Sequence, residues 1–337
     1  MTEDRILLPE APDIPGLAFR HFRGESDYPR MVAAITASAE ADKNERADTV
    51  EDIGNAYSHL TNCDPYQDMI FPEVNGEVIG YSRGWWQEEP NDGPYLYTLV
   101  GFLVPRWRRR GIGRVMLHWM ENRLRAIGTA HPPGRPKLLQ GFASETEAGL
   151  AILLEQEGYE PIRYFHQMVR PTLEGIPDFP LPEGLEVRPA RPEHYRAIWE
   201  AGAEAFQDHW GYVPPTEEDY QGWLNNTSFF QPHLWQVAWD VASDQVAGQV
   251  GTFINQAENE KYNRKRGYTE SISVRRPWRR KGLARALIVL SLHAQKAAGM
   301  TESTLGVDGE NISGATRVYE DCGFRVVKRS AIYRKPL

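Results

Sequence analysis

One pattern occurs twice in this chain, and the two copies together decide most of what the chain can fold into. LVGFLVPRWRRRGIGRVMLHWM runs from Leu99 to Met120, and YTESISVRRPWRRKGLARAL from Tyr268 to Leu287. The second begins with the apolar/polar alternation of a strand, the first mirrors its order, and each passes a proline that cannot donate to a ladder. Each then turns through basic residues and reaches a glycine, Gly111 or Gly282, 171 positions apart. The glycine opens an apolar run with helical spacing that stops at a second glycine, Gly128 or Gly299. A strand, a glycine turn and a helix N-terminus in series make an anion site. The first helical amides have no internal partner, and the macrodipole adds positive potential. Arg108, Arg109 and Arg110 flank one turn, and Arg279, Arg280 and Lys281 the other. The pattern suits a pyrophosphate.

The repetition extends to both sides of these stretches. GLAFRHF at Gly16 and GLEVRPA at Gly184 each precede a helical segment, at an offset of 168. Two alternating hairpins follow, with Gly80 and Gly248 again 168 apart, and the first carries an Asn75-Gly76 turn. Each copy closes with a short helix, a glycine and an aromatic, at Gly158 and Gly323. Units of this size are far too long for a solenoid, so duplication of one α/β domain is the reading. The expected division is a first domain over 1–170, a Pro-rich linker over 171–184 and a second domain over 185–337. No apolar run reaches the length of a spanning helix, and the acidic N-terminus lacks the signature of a signal peptide. Cys63 and Cys322 lie far apart without metal-ligand spacing, so no metal site is expected and a cytoplasmic setting is. A net charge of −8 disfavours a general nucleic-acid binder, although RWRRRGIGR and RRPWRRKG keep phosphate-backbone contact open as a minor reading.

The loops Arg108-x-x-Gly111-x-Gly113 and Arg279-x-x-Gly282-x-Ala284 resemble the acetyl-CoA loop of the GNAT superfamily of N-acetyltransferases. A valine, Val104 or Val274, stands before each loop. The second copy continues into GVDGENISGATRVYEDCGF, similar to the family's closing motif at Asn311, Tyr319, Gly323 and Phe324. The tandem arrangement resembles the mycothiol synthases and their relatives, which acetylate a thiol-cofactor precursor. The resemblance implies two tandem GNAT-like domains, each a mixed twisted β-sheet flanked by helices. It implies acetyl-CoA as cofactor and a small-molecule amine as acceptor, with no nucleic-acid or membrane partner. Oligomeric state is left open.

Carried onto this chain, the resemblance puts the second cofactor site at Val274, Arg279, Arg280, Lys281, Gly282, Leu283, Ala284, Arg285 and Asn311. The first would comprise Val104, Arg108, Arg109, Arg110, Gly111, Ile112, Gly113 and Arg114. The family's tyrosine acid falls on Tyr319, and Glu270, counted onto the face of Ile272 and Val274, is the candidate base. His209 or a water relay is the alternative base. The segment Ala205–Trp223, rich in aromatic and acidic residues, is the expected acceptor pocket. The first copy has Leu99, Thr146 and Leu154 where the second has Glu270, Asn311 and Tyr319. It is therefore expected to bind acetyl-CoA, or merely keep the fold, without catalysis. The expected function is amine acetylation by direct attack in a ternary complex, in the second domain. A CoA-binding module without its own acceptor is the alternative.

Overall fold

A computed structural model describes residues 4–90, 92–310 and 314–337. The chain divides into two compact units, Met1–Ile162 with Ser330–Leu337, and Arg163–Arg329. The first unit contains β1 (Arg5–Ile6), β2 (Leu17–Arg20), α1 (Tyr28–Ala41), α2 (Val50–Ser58), β3 (Met69–Val74), β4 (Glu77–Val78), β5 (Gly80–Glu88) and β6 (Tyr95–Leu103). It continues through α3 (Ile112–Thr129), β7 (Lys137–Ser144) and α4 (Ala148–Gln156). Its sheet runs β1-β2-β3-β5-β6-β7, antiparallel except for the parallel pair β6–β7. The last strand beside β7 is Ser330–Pro336, from the far end of the chain.

After β8 (Glu160–Arg170), the second unit repeats the plan. Its elements are β9 (Leu185–Arg188), α5 (Tyr195–Phe206), α6 (Glu217–Leu224), β10 (Gln236–Asp240), β11 (Gln245–Phe253), α7 (Gln256–Lys261) and β12 (Arg266–Val274). They are followed by α8 (Leu283–Ala297), β13 (Glu302–Asp308), α9 (Ala315–Asp321) and the start of β14 (Arg325–Pro336). The sheet order is β9-β10-β11-β12-β13, again with one parallel pair, β12–β13. Here the strand beside β13 is Phe165–Arg170. Each unit is thus closed by the strand that follows the other copy in sequence. The division at 170 that sequence order suggests therefore fails at both ends.

The expected linker is also part of a core. Leu173 is buried among Met168, Leu287 and Leu305, with Ile176, Phe179 and Leu181 packed against the same cluster. Apolar burial, at ~25 cal/mol per Å², holds this Pro-rich segment in place. In α8, Leu283, Ala286, Leu287 and Leu292 point at the sheet at helical spacing. In α3, Ile112, Val115, Met116, Met120 and Leu124 do the same.

Candidate active site

In the second unit β12 ends at Val274, a single 3-10 turn spans Arg276–Trp278, and the chain turns into α8 through two left-handed residues. These are Arg280 (φ 62°) and Gly282 (φ 87°). Left-handed positions two apart swing successive amides to one side, and the first turn of α8 adds its own free N–H groups. Nothing lies within 4 Å of where a Cβ on Gly282 would be, so the cradle is open. Arg280 and Lys281 are exposed beside it.

Arg279 does something else. Its Nε donates to the Val274 carbonyl at 2.9 Å, Nη1 to Asp208 at 2.6 Å and Nη2 to the Ala205 carbonyl at 2.9 Å. It clamps the strand end to α5, and its charge is largely met by Asp208. Hydrogen bonds from Arg276 and Arg279 hold the Asp208 carboxyl well below its ordinary range. Arg285 pairs with Asp321 (Nε to Oδ2 2.9 Å). The exposed Arg317 lines the same cleft. It was missed in the sequence because it lies in the variable part of the closing motif. Asn311 lies outside the described residues.

The cleft exists because β12 and β13 part company. Only Arg266, Gly267 and Tyr268 pair with β13, and beyond Tyr268 the two strands diverge. A space of about 950 Å³ opens there, lined by Ile272, Val274, Gly282, Arg317 and Tyr319 among others. Glu270 lies just past the fork, and its Oε1 accepts the Gly306 N–H of β13 at 2.9 Å, a side chain standing in for the missing ladder bond. Burial pushes this carboxyl up to about 7, against the pull of that single N–H. Tyr319, buried on α9, has its phenol pushed up by burial and then by the Glu270 charge.

Beside Glu270 the strand carries a bulge. The pairing of β11 with β12 slips between Gln249 and Gly251, and Ser271 stands at φ 49°. The bulge breaks the alternation, so the face of Glu270 cannot be counted from Ile272 and Val274. Glu270 and Ser271 line a second cavity of about 560 Å³, while Ile272, Ser273 and Val274 line the large cleft. The bulge was legible. Gly248-x-x-Gly251 is one residue shorter than Gly80-x-x-x-Gly84, and β5–β6 pairs without a slip.

The expected acceptor segment is brought to this second cavity only in part. Phe206, Tyr212 and Trp223 line it, whereas Glu217 bonds to Arg196 and Asp219 caps α6 through Thr216. His209 lines the large cleft instead, its ring 4.5 Å from that of Phe206 and its pKa lowered by burial. Cys322 is fully buried and its thiol is pushed up to about 11 by burial, poorly suited to nucleophilic attack. Among the described residues no His, Cys, Asp and Glu cluster could hold a metal ion.

The first unit keeps the loop and fills the cleft. Arg109 (φ 58°) and Gly111 (φ 84°) repeat the left-handed pair. Arg108 repeats the clamp, donating to the Leu103 carbonyl at 3.1 Å and to Asp42 at 2.6 Å. Leu103, not Val104, holds the place of Val274, since β6 ends there. Leu99 and Leu154 are buried in the core at the positions of Glu270 and Tyr319. Both lie against Gly141, where a Cβ would meet Leu154 at 3.3 Å and Leu99 at 3.9 Å. A Cβ on Gly111 would meet Pro12 at 3.7 Å, so the N-terminal segment lies over the loop. Arg114 is bound to Glu157 at 2.7 Å, and His118 is held between Glu10 and Glu157, each at 2.8 Å.

Comparison with known proteins agrees with this geometry. The sequence pattern of the acetyltransferase (GNAT) family matches residues 34–131 and 195–324, one stretch in each unit. The mycothiol acetyltransferase of Streptomyces bingchenggensis is 26% identical over 273 residues, covering 79% of this chain and 80% of the relative. That of Salinispora tropica is 30% identical over 146 residues, 43% of each chain. Among solved structures, a GCN5-related N-acetyltransferase from Sphaerobacter thermophilus superposes with a TM-score of 0.70 at 27% identity, covering 96% of both chains. A tandem GNAT protein from the clavulanic acid biosynthesis pathway shares the fold, with a TM-score of 0.65 at 16% identity over 95% of this chain and 98% of that one.

Proposed function

The chain belongs to the acetyltransferase (GNAT) family, and from that premise we propose that it acetylates a primary amine by direct attack, with the second unit as the working half. It is an N-acetyltransferase whose acyl donor is acetyl-CoA. The residues of the second unit fit that donor. The open cradle at Gly282, the amides of Arg280 to Arg285 and the exposed Arg280, Lys281 and Arg317 suit the phosphates. The unpaired edge of β12 beyond Tyr268 suits the pantetheine amides. When bound, acetyl-CoA supplies an acetyl group activated as a thioester.

Each residue then has a task. Glu270 takes a proton from the incoming ammonium, since only the free amine is nucleophilic, and a carboxyl titrating near 7 is matched to that work. The bulge at Ser271 takes the backbone out of the regular ladder, and an N–H there is suited to hold the acyl oxygen. Tyr319, kept neutral by burial and by the charge of Glu270, gives a proton to the sulfur of the departing carrier. No acyl-cysteine is required. The arms of Arg279 keep the loop registered on α5, with its net charge secondary.

The observation that carries this reading is Glu270 spanning the fork to Gly306 with its carboxyl raised to about 7. Tyr319→Phe tests it. The expected result is a fall in kcat of about 100-fold with acetyl-CoA affinity unchanged. An undiminished kcat would remove the proposed acid. The two cysteines are free, in keeping with a reducing cytoplasm. Among the described residues no helix is long and apolar enough to cross a membrane.

A further inference from the structure

The relatives above are named for mycothiol, yet the cavity beside Glu270 is walled by rings. Trp199, Phe206, Trp223, Phe229 and Phe253 line it, with Val237 and Val250 at the sheet. Trp199 lies 5.2 Å from Trp223 and Phe229 4.7 Å from Phe253, so the walls brace one another. The acidic side chains of α6 turn elsewhere, Glu217 to Arg196 and Asp219 to its own cap. At the sheet end Ser271 contributes a hydroxyl, and two further polar groups line the same cavity. One is the Glu270 carboxylate. The other is Gln249, whose Oε1 is buried without a hydrogen-bond partner among the described residues. Gly202 makes room for that amide, because a Cβ there would stand 2.7 Å from Gln249 Nε2.

We propose that the acceptor is a primary amine on a flat apolar body of one or two rings, with its nitrogen held between Glu270 and Gln249 Oε1. The inference rests on the reading that the second unit performs the transfer. An ammonium brings three donors, and these two oxygens accept two of them. Aromatic walls add attraction for the cation as it enters and favour a ring over a chain. The cavity, about 560 Å³, falls within the range of small-ligand pockets. A polyhydroxylated amine would press several hydroxyls against walls that offer few partners, the Trp199 and Trp223 indoles and the Tyr212 phenol among them, and each unpaired hydroxyl lowers affinity.

The first unit shows what a filled version of this place looks like. Tyr81 stands where Gln249 does and is buried between Phe71 and Phe102, at ring distances of 5.7 and 5.3 Å.

The test uses the full chain in two arms. In the first, thiol release from acetyl-CoA is followed with phenethylamine, tryptamine, glucosamine and glycinamide. The expected kcat/KM for the two arylalkylamines exceeds that for glucosamine by 100-fold or more. In the second, calorimetry without acetyl-CoA measures phenethylamine binding to the wild type, to Ala203→Trp, which fills the cavity, and to Phe229→Ala, which trims an exposed wall. Saturable binding that Ala203→Trp abolishes and Phe229→Ala weakens about tenfold supports the assignment, and acetyl-CoA affinity stays unchanged in both variants. Binding of this kind without turnover of any amine would uphold the acceptor class and overturn only the catalytic reading. Absent phenethylamine binding, or glucosamine bound or turned over as well as phenethylamine, overturns the inference.

Discussion

The two units share a loop and differ in what stands behind it. In both, a left-handed arginine and a left-handed glycine lead into a long helix, and an arginine ties the strand end to the preceding helix. The parallel pair of each unit parts midway, β6–β7 after Thr98 and β12–β13 after Tyr268, and the second fork holds Glu270 with Tyr319 buried nearby. Behind the first, Leu99 and Leu154 close against Gly141, and Pro12 lies over Gly111. The difference teaches that the loop geometry is a property of the fold, kept by its own clamp, whereas the activity we propose rests on polar groups held in a cleft that costs stability. Filling that cleft with leucine gains burial and removes the chemistry. A buried carboxyl of this kind, raised to about 7, is matched to proton transfer near neutral pH, which is why we assign the chemistry to the second half.

The contrast can be broken most sharply at Glu270. Glu270→Gln keeps the acceptor oxygen for Gly306 but cannot take a proton, and its kcat/KM should fall by about 100- to 10,000-fold. With Glu270 as the proposed base, the carboxylate is the active form in the wild type. Activity should therefore rise with pH through a value near 7 and then level, and that limb should vanish in the variant. A limb that persists in Glu270→Gln would move the base to His209 or to water. The converse change, Leu99→Glu, places a carboxyl among Leu139, Leu154 and Met120. It should cost roughly 3 kcal/mol or more in denaturant unfolding and create no activity, because its neighbours are apolar and Leu154 stands at the place of Tyr319. A variant as stable as the wild type would show that the first cleft is not closed.

A smaller effect separates the loops. An alanine at a φ near +85° costs about 1–2 kcal/mol of backbone strain wherever it is placed. Gly282→Ala should therefore lower acetyl-CoA affinity by about tenfold, as the cradle shifts to relieve it. Gly111→Ala should lower thermal stability by a few degrees and leave acetyl-CoA affinity untouched. Equal effects on binding would mean that both loops hold the donor.

Much of this was written in the chain. The loops, the strands before them and the helices after them follow from glycine placement and apolar spacing, and the proposal that the first half is idle starts from Leu99 and Leu154 standing opposite Glu270 and Tyr319. Three things resisted. The closing strands are exchanged, and a strand's alternation does not say which sheet it joins, so the boundary at 170 could not be placed. Arg108 and Arg279 read as phosphate ligands because charge is visible in sequence, while partners such as Asp42 and Asp208 are not. The acidic residues after α5 suit a cationic amine in sequence, but an ion pair and a cap turn Glu217 and Asp219 away, and rings line most of the cavity.

If the second loop alone works, it alone should hold the donor. Isothermal titration of acetyl-CoA into the full chain, repeated with Arg280 and Lys281 both changed to Glu, tests it most directly. The account predicts one site per chain, lost in that double variant. Two sites, or a single site that survives it, would contradict the account.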